Sequence, residues 1–332
     1  MLEITSIRRM ATLAATTVLL LGAAAASAAE VRIGLDSPAD KQKSGSYVFA
    51  AAMADALKAA GWQVKEMPVN SIGGEAERLD QASQGLLEIN MADLGQAGKL
   101  NKLIFGYRLP YLFESLAHLD RATKASSMLD KVNDGLKGKG IRVVALVPVG
   151  GGMGIFNTKR PVTSPADVEG MRIRALDESQ LQLFKAWGAN GVVITMPEVA
   201  NALQTGIADG YVNPPFVPFL FGHTDILKYY TTANVGLPLR IAMVSSDWYG
   251  GLKPAEKKAV DDAVAKGEAA NRDWVKTSDA AAIDQLLKAG IKVDSLTAAG
   301  RARFEELSRS IYDTLLPPDQ VKLFVDAAAR AR

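Results

Sequence analysis

Cysteine is absent from all 332 residues. Disulfides, thiol nucleophiles and thiolate metal sites are therefore excluded. Histidine is scarce, with only His118 and His223, so neither a metal site nor a cofactor is expected. Charge of one sign is lacking as well. Thirty-eight lysines and arginines face 36 acids, a formal net charge of +2. No basic stripe offers itself to nucleic acid. The sequence has no G-x-S-x-G elbow, no S-x-x-K pair and no H-E-x-x-H helix. No catalytic residue is assigned on this basis, and the chain is not expected to be an enzyme. Beyond residue 26 there is no apolar run long enough to span a bilayer.

What is present is an ordinary globular balance, 48% hydrophobic and 22% charged. The length suggests two domains or lobes. The N-terminus reads as a secretory signal over residues 1–29. Arg8 and Arg9 form its charged region, residues 10–26 are apolar and small, and Ala26-Ser27-Ala28 fits a cleavage site near Ala28. Removing it takes away Arg8, Arg9 and Glu3, which leaves a net charge of about +1. Ser6-Ile7-Arg8-Arg9-Met10 is a weak twin-arginine match, and with no cysteine there is no lipid anchor at that point. The expected location of the mature chain is the periplasm.

The first part of that mature chain alternates strands and helices. Residues 31–35, 63–67 and 87–93 read as strands, with an alanine-rich helix over 45–60 and a second helix from Glu75 to Gln84. This order implies a mostly parallel sheet with right-handed crossovers. It also leaves Asp36 and Asp93 at strand ends on one edge. Leu109-Pro110-Tyr111-Leu112-Phe113 reads as buried, Ser115 as the cap of a helix to about Asn133, and 141–147 as a buried strand. Gly150-Gly151-Gly152-Met153-Gly154 suits a hinge or a close backbone approach and lacks the spacing of a dinucleotide fingerprint.

The unit from Gly170 to Asn213 is the clearest stretch. Three short apolar runs alternate with two helical patterns, which makes a β-α-β-α-β unit. Arg174 ends its first strand and Asn213 its third, at the edge where open α/β sheets bind ligands. Pro214 and Pro215 then break the chain before the aromatic cluster Phe216, Phe219 and Phe221. Residues 239–245 read as a strand returning to the first lobe. Residues 254–289 read as one helix of about 36 residues, roughly 54 Å, too long for one lobe. Two shorter helices follow, with Pro317-Pro318 between them.

Glu198-Val199, Ala202-Leu203-Gln204-Thr205-Gly206, Asp209-Gly210 and Asn213-Pro214, preceded by Gly170-Met171-Arg172-Ile173-Arg174, resemble the signature of one family. It is the solute-binding proteins of tripartite ATP-independent periplasmic (TRAP) transporters, and the resemblance runs from about Val31 to Ala270. It implies an α/β, two-lobed periplasmic-binding-protein fold with a mostly parallel mixed sheet in each lobe and a long C-terminal helix bracing both. Lobe 1 is expected over 30–150 plus about 236–270, and lobe 2 over 151–235 plus about 271–332. The implied function is capture of a small carboxylate solute by hinge closure and its delivery to membrane permease subunits. A monomer is expected, with a dimer through the long helix left open.

Candidate site residues follow from both readings. Arg174 offers a planar, permanently charged fork to a carboxylate, and the family's carboxylate-binding arginine falls on this position. Read alone, it would better suit a surface pair with Glu169, and the family match reverses that preference. Arg172 points to the opposite strand face and reads as structural. Asn213 matches the family's ligand-binding asparagine, against simple turn chemistry beside proline. Asp36 and Asp93 occupy first-lobe ligand positions, or cap helices. Phe216 belongs to the candidate pocket. Met153 stands where many members have a second arginine, and Met196 and Pro197 replace a common phenylalanine and serine. Arg240 is a candidate replacement cation. With a cation lost, a monocarboxylate with hydroxyls, an amino or zwitterionic acid, or an apolar-tailed acid fits better than a C4-dicarboxylate. The alternatives are an exported hydrolase using Asp36 and Asp93 as paired carboxylates, and a ligand-sensing receptor for a membrane kinase.

Overall fold

The computed structural model describes residues 30–332; the expected export signal lies outside them. Among these residues the chain opens with β1 (Val31–Gly34), β2 (Val64–Met67), β3 (Ile89–Asp93) and β4 (Ile141–Pro148). It continues with β5 (Gly154–Asn157), β6 (Arg172–Ala175), β7 (Asn190–Val193), β8 (Gly210–Asn213) and β9 (Tyr229–Thr232), then β10 (Leu239–Ser245) and β11 (Lys292–Ser295). One sheet has the order β2-β1-β3-β10-β4 and the other β11-β9-β5-β8-β6-β7. Each is mixed: β10 runs antiparallel to β3 and β4, and β5 runs antiparallel to β8 and β9. The fold is α/β with two lobes, one per sheet.

Local chemistry explains the elements. Ser44 caps the helix Gly45–Ala59 by accepting the Tyr47 N–H at 3.1 Å. That helix buries Phe49, Met53 and Leu57 against Ile33 and Val147 of the first sheet. Asp177 caps the helix Glu178–Ala186, and Gly206, at φ 72°, ends the helix Val199–Thr205. The expected single helix after Ser115 is two, Leu116–Ser126 and Met128–Leu136, because Ser127 takes a left-handed φ of 48° between them. Strands β5, β9 and β11, four residues each, go beyond the sequence expectation.

Two segments cross between the lobes and bond to each other. Val149 N–H donates to the Pro238 carbonyl at 2.9 Å, and Met153 N–H to Gly236 at 3.0 Å. The glycines here serve close approach: a Cβ on Gly154 would meet the Tyr230 ring at 2.3 Å. The long helix Pro254–Lys288 has 35 residues, about 52 Å. Its Val260 and Val264 pack in the first lobe and its Ala282 and Leu286 in the second. Buried Asn271 ties its middle to the carbonyls of Gly45 and Pro148, both at 2.8 Å.

One boundary needs correction. The stretch from about 271 to 332 is expected in the second lobe, yet Pro318–Arg330 packs on the first. Phe324 meets the Tyr107 ring edge-on at 5.1 Å, and His118 Nε2 bonds the Ala328 carbonyl at 2.7 Å. The chain crosses back between Ile311, in a second-lobe cluster, and Tyr312, whose hydroxyl donates to the Pro110 carbonyl. Helical periodicity identifies an apolar face but not the surface that receives it. No helix among the described residues is long and apolar enough to cross a membrane.

Candidate functional site

The register of the second sheet sets the site. Parallel β6 and β8 place Arg174 beside Tyr211, and Asn213 lies one pleat further along the same strand. Both side chains line a cavity of about 140 Å³ between the two sheets. Its other walls come from the crossing segments and from the buried Leu109-Pro110 stretch.

Arg174 is 4% exposed. Its Nε donates to the Ile194 carbonyl at 2.8 Å. No carboxylate among the described residues pairs with it, Glu169 included, whose backbone carbonyl instead accepts from Arg160. Burial, only partly offset by Asp93, pulls its pKa down to about 10. Beside it, Nδ2 of Asn213 is buried without a hydrogen-bond partner. A desolvated cation and a donor without a protein partner at one strand edge make a site suited to an anion. Arg172, by contrast, is spent on Asp209, at 2.9 and 3.1 Å.

The first lobe presents a mesh of ion pairs. Arg240 binds Asp36 and Glu75 and approaches Asp93 at 3.5 Å. Arg108 binds Asp93 and, across the cleft, Asp177. Burial acts to lower the Arg240 pKa, but the carboxylates of Asp36, Glu75 and Asp93 outweigh it and raise the value. Burial likewise pushes Asp93 up, and Arg108 and Arg240 overcome it and hold the carboxyl below its ordinary range. Asp93 also caps the helix Leu94–Gly98, accepting the Gly95 N–H at 2.8 Å.

Of the residues singled out from the sequence, Arg174, Asn213, Asp93, Met153, Met196 and Arg240 line this one cavity. Asp36 and Phe216 do not. The Asp36 carboxylate is sealed between Arg240 and the Ser46 hydroxyl, at 2.6 Å from the latter. Phe216 packs edge-on against Trp274 at 5.6 Å, inside a second-lobe core cluster. Arg108, Asp177 and Gln180 were missed. The one signal for Arg108 was a charge abutting a buried apolar segment; for Asp177 it was an N-cap aspartate before an apolar helix.

His118 and His223 are buried and bonded within the core, His223 to the Tyr211 hydroxyl at 3.2 Å. The hydrolase alternative gains no support, because Asp36 and Asp93 share a guanidinium and Asp36 is closed off from the cleft. The kinase-receptor alternative gains none either.

Two α/β lobes, crossing segments between them and a buried cation in the cleft define a two-lobed solute-binding protein. The model of bacterial extracellular solute-binding protein, family 7, matches residues 37–317, and the chain belongs to that family, the receptors of TRAP transporters. Among its relatives, the C4-dicarboxylate-binding periplasmic protein DctP of Rhodobacter capsulatus is 27% identical over 76% of each chain. The ectoine/5-hydroxyectoine-binding periplasmic protein UehA of Ruegeria pomeroyi is 25% identical over 87% of this chain and 89% of its own. The sugar acid binding protein DctPAm of Advenella mimigardefordensis, solved with galactonate, superposes with a TM-score of 0.82 at 22% identity. That match covers 91% of this chain and 98% of the other.

Proposed function

We propose that the chain works in the periplasm as a receptor that closes on a small carboxylate and hands it to TRAP membrane subunits. The observation that carries the ligand class is Arg174, buried without a carboxylate partner beside the orphan amide of Asn213. The guanidinium fork and the amide N–H together offer donors to both oxygens of one carboxylate. The first lobe then completes the cavity, and the Arg108–Asp177 pair spans the closed cleft. Ligand shifts the hinge equilibrium because only the closed form surrounds it. No bond in the solute is broken, and the receptor acts as a monomer.

The test is calorimetric titration of the exported chain with organic, sugar and amino acids. A hit of this class loses about thirtyfold or more in affinity on Arg174→Ala, roughly 2–5 kcal/mol. A loss below about threefold removes Arg174 as the anchor.

A further inference from the structure

The wall opposite Arg174 sorts acids by charge and by polarity. Four carboxylates, Asp36, Glu75, Asp93 and Asp177, are held by two guanidiniums, Arg108 and Arg240. Among the described residues lining the cavity, Arg174 is then the only cation without an acidic partner within 4.0 Å. One carboxylate saturates it. A second would lie near the Asp93 side of the mesh with no free cation to receive it, since Met153 brings a thioether to the hinge side of the wall.

Polar capacity away from Arg174 is equally small. The Ser179 hydroxyl is spent on Asp177 at 2.5 Å, and the Gln180 carbonyl accepts the Leu176 N–H at 2.8 Å. That leaves the Gln180 amide nitrogen and the Asn213 amide as side-chain groups without a protein partner on the second-lobe wall. The Tyr107 hydroxyl is buried in the first-lobe core cluster and bonds no protein atom. The rest of the wall combines Asp93, Arg108 and Arg240, committed to their ion pairs, with the hydrocarbon and thioether of Leu109, Met153, Leu183, Met196, Val235 and Leu237. The hydroxyls of a sugar acid would have to compete with these ion pairs, and each one left unpaired costs roughly tenfold in affinity.

Given the receptor reading above, we propose that the solute is a small monocarboxylate with a compact apolar body, bearing no second carboxylate and few hydroxyls. A cavity of about 140 Å³ suits a compact acid. The sugar acids of the solved neighbours do not transfer to this chain, because likeness at 19–24% identity carries the fold and not the pocket wall.

The experiment is a competition by calorimetry on the exported chain, shown free of co-purified solute by native mass spectrometry. Isovalerate, hexanoate and benzoate are set against succinate, D-glucuronate and D-galactonate. The expected result is at least one apolar monocarboxylate bound about tenfold or more tighter than all three polar acids, with binding lost on Arg174→Ala. Met153→Arg should bring in succinate, improving its affinity by about tenfold or more. A polar acid that binds more tightly, still dependent on Arg174, overturns the apolar-body proposal and leaves the receptor reading standing. Unchanged succinate affinity in Met153→Arg overturns the charge half of the proposal. An empty protein that binds none of the six, and none of the broader acid panel, overturns the receptor reading and this proposal with it.

Discussion

Arg108 and Asp177, 69 residues apart in the chain, form an ion pair across the mouth of the cleft. Arg108 lies at the end of a first-lobe 3-10 helix, Lys102–Arg108, and Asp177 is the N-cap of a second-lobe helix. The same guanidinium holds Asp93, so one side chain ties the ligand wall to the closed arrangement. Asp177→Asn keeps the cap, because the two residues cap equally well, and it leaves Arg108 paired with Asp93. The variant should lose roughly 1–2 kcal/mol of closure, about fivefold to thirtyfold in ligand affinity. Small-angle scattering of the ligand-free variant should show a larger radius of gyration. Unchanged scattering and affinity would mean that the pair does not bias the hinge.

The Asn213 side-chain N–H group is buried and bonds no protein atom. Such a group costs about 1–3 kcal/mol. Asn213→Leu, of similar volume, should therefore raise the melting temperature of the empty protein while weakening ligand binding. Calorimetry and thermal unfolding on one preparation check both signs. A fall in both quantities would assign Asn213 to structure alone.

Arg240 neutralises Asp36, Glu75 and Asp93. Arg240→Leu should destabilise by about 3–5 kcal/mol at neutral pH, as expected when one partner of a buried ion pair is removed. The pH dependence identifies the cause. The Asp93 carboxyl is held below its ordinary range in the fold. Its contribution is therefore complete above the unfolded value of about 3.9 and is lost as pH falls through the depressed one. In the variant burial is opposed by Arg108 and the Gly95 N–H without Arg240, so protonation relieves part of the penalty. The gap between wild type and variant should narrow from pH 7 to about pH 4. A constant gap would point to lost packing of the arginine stem.

Phe324 is 1% exposed and lies so close to Gly106 that a Cβ there would meet its ring at 2.0 Å. Phe324→Ala should cost about 3–5 kcal/mol. Hydrogen exchange should show protection falling first around residues 102–136 of the first lobe, not in the second sheet. Loss confined to residues 151–235 would return the last helix to the second lobe.

The part of the fold legible in the sequence was local. The β6 to β8 unit spans some 40 residues, its periods are distinct, and its capping and stop residues sit where the chain needs them. Arg174 and Asn213 were legible for the same reason: both end strands of that one unit. The four-residue strands β5, β9 and β11 are too short for alternation to show, and they exist because neighbouring strands receive them.

Asp36 shows where local reading stops. Its position at a strand end made it a cleft candidate, but its side chain answers to Arg240, 204 residues later. Composition, missing motifs and strand order determined on their own that this chain is a cysteine-free, two-lobed α/β protein with an arginine at a ligand edge. Only the tertiary structure decided which charges remain free for a solute. Ion pairing falls off with distance in space and not along the chain, so Asp36, Glu75, Asp93 and Asp177 claim Arg108 and Arg240 only once the sheets have formed and the lobes have met. Among the described residues lining the cavity, Arg174 is left as the cation without an acidic partner.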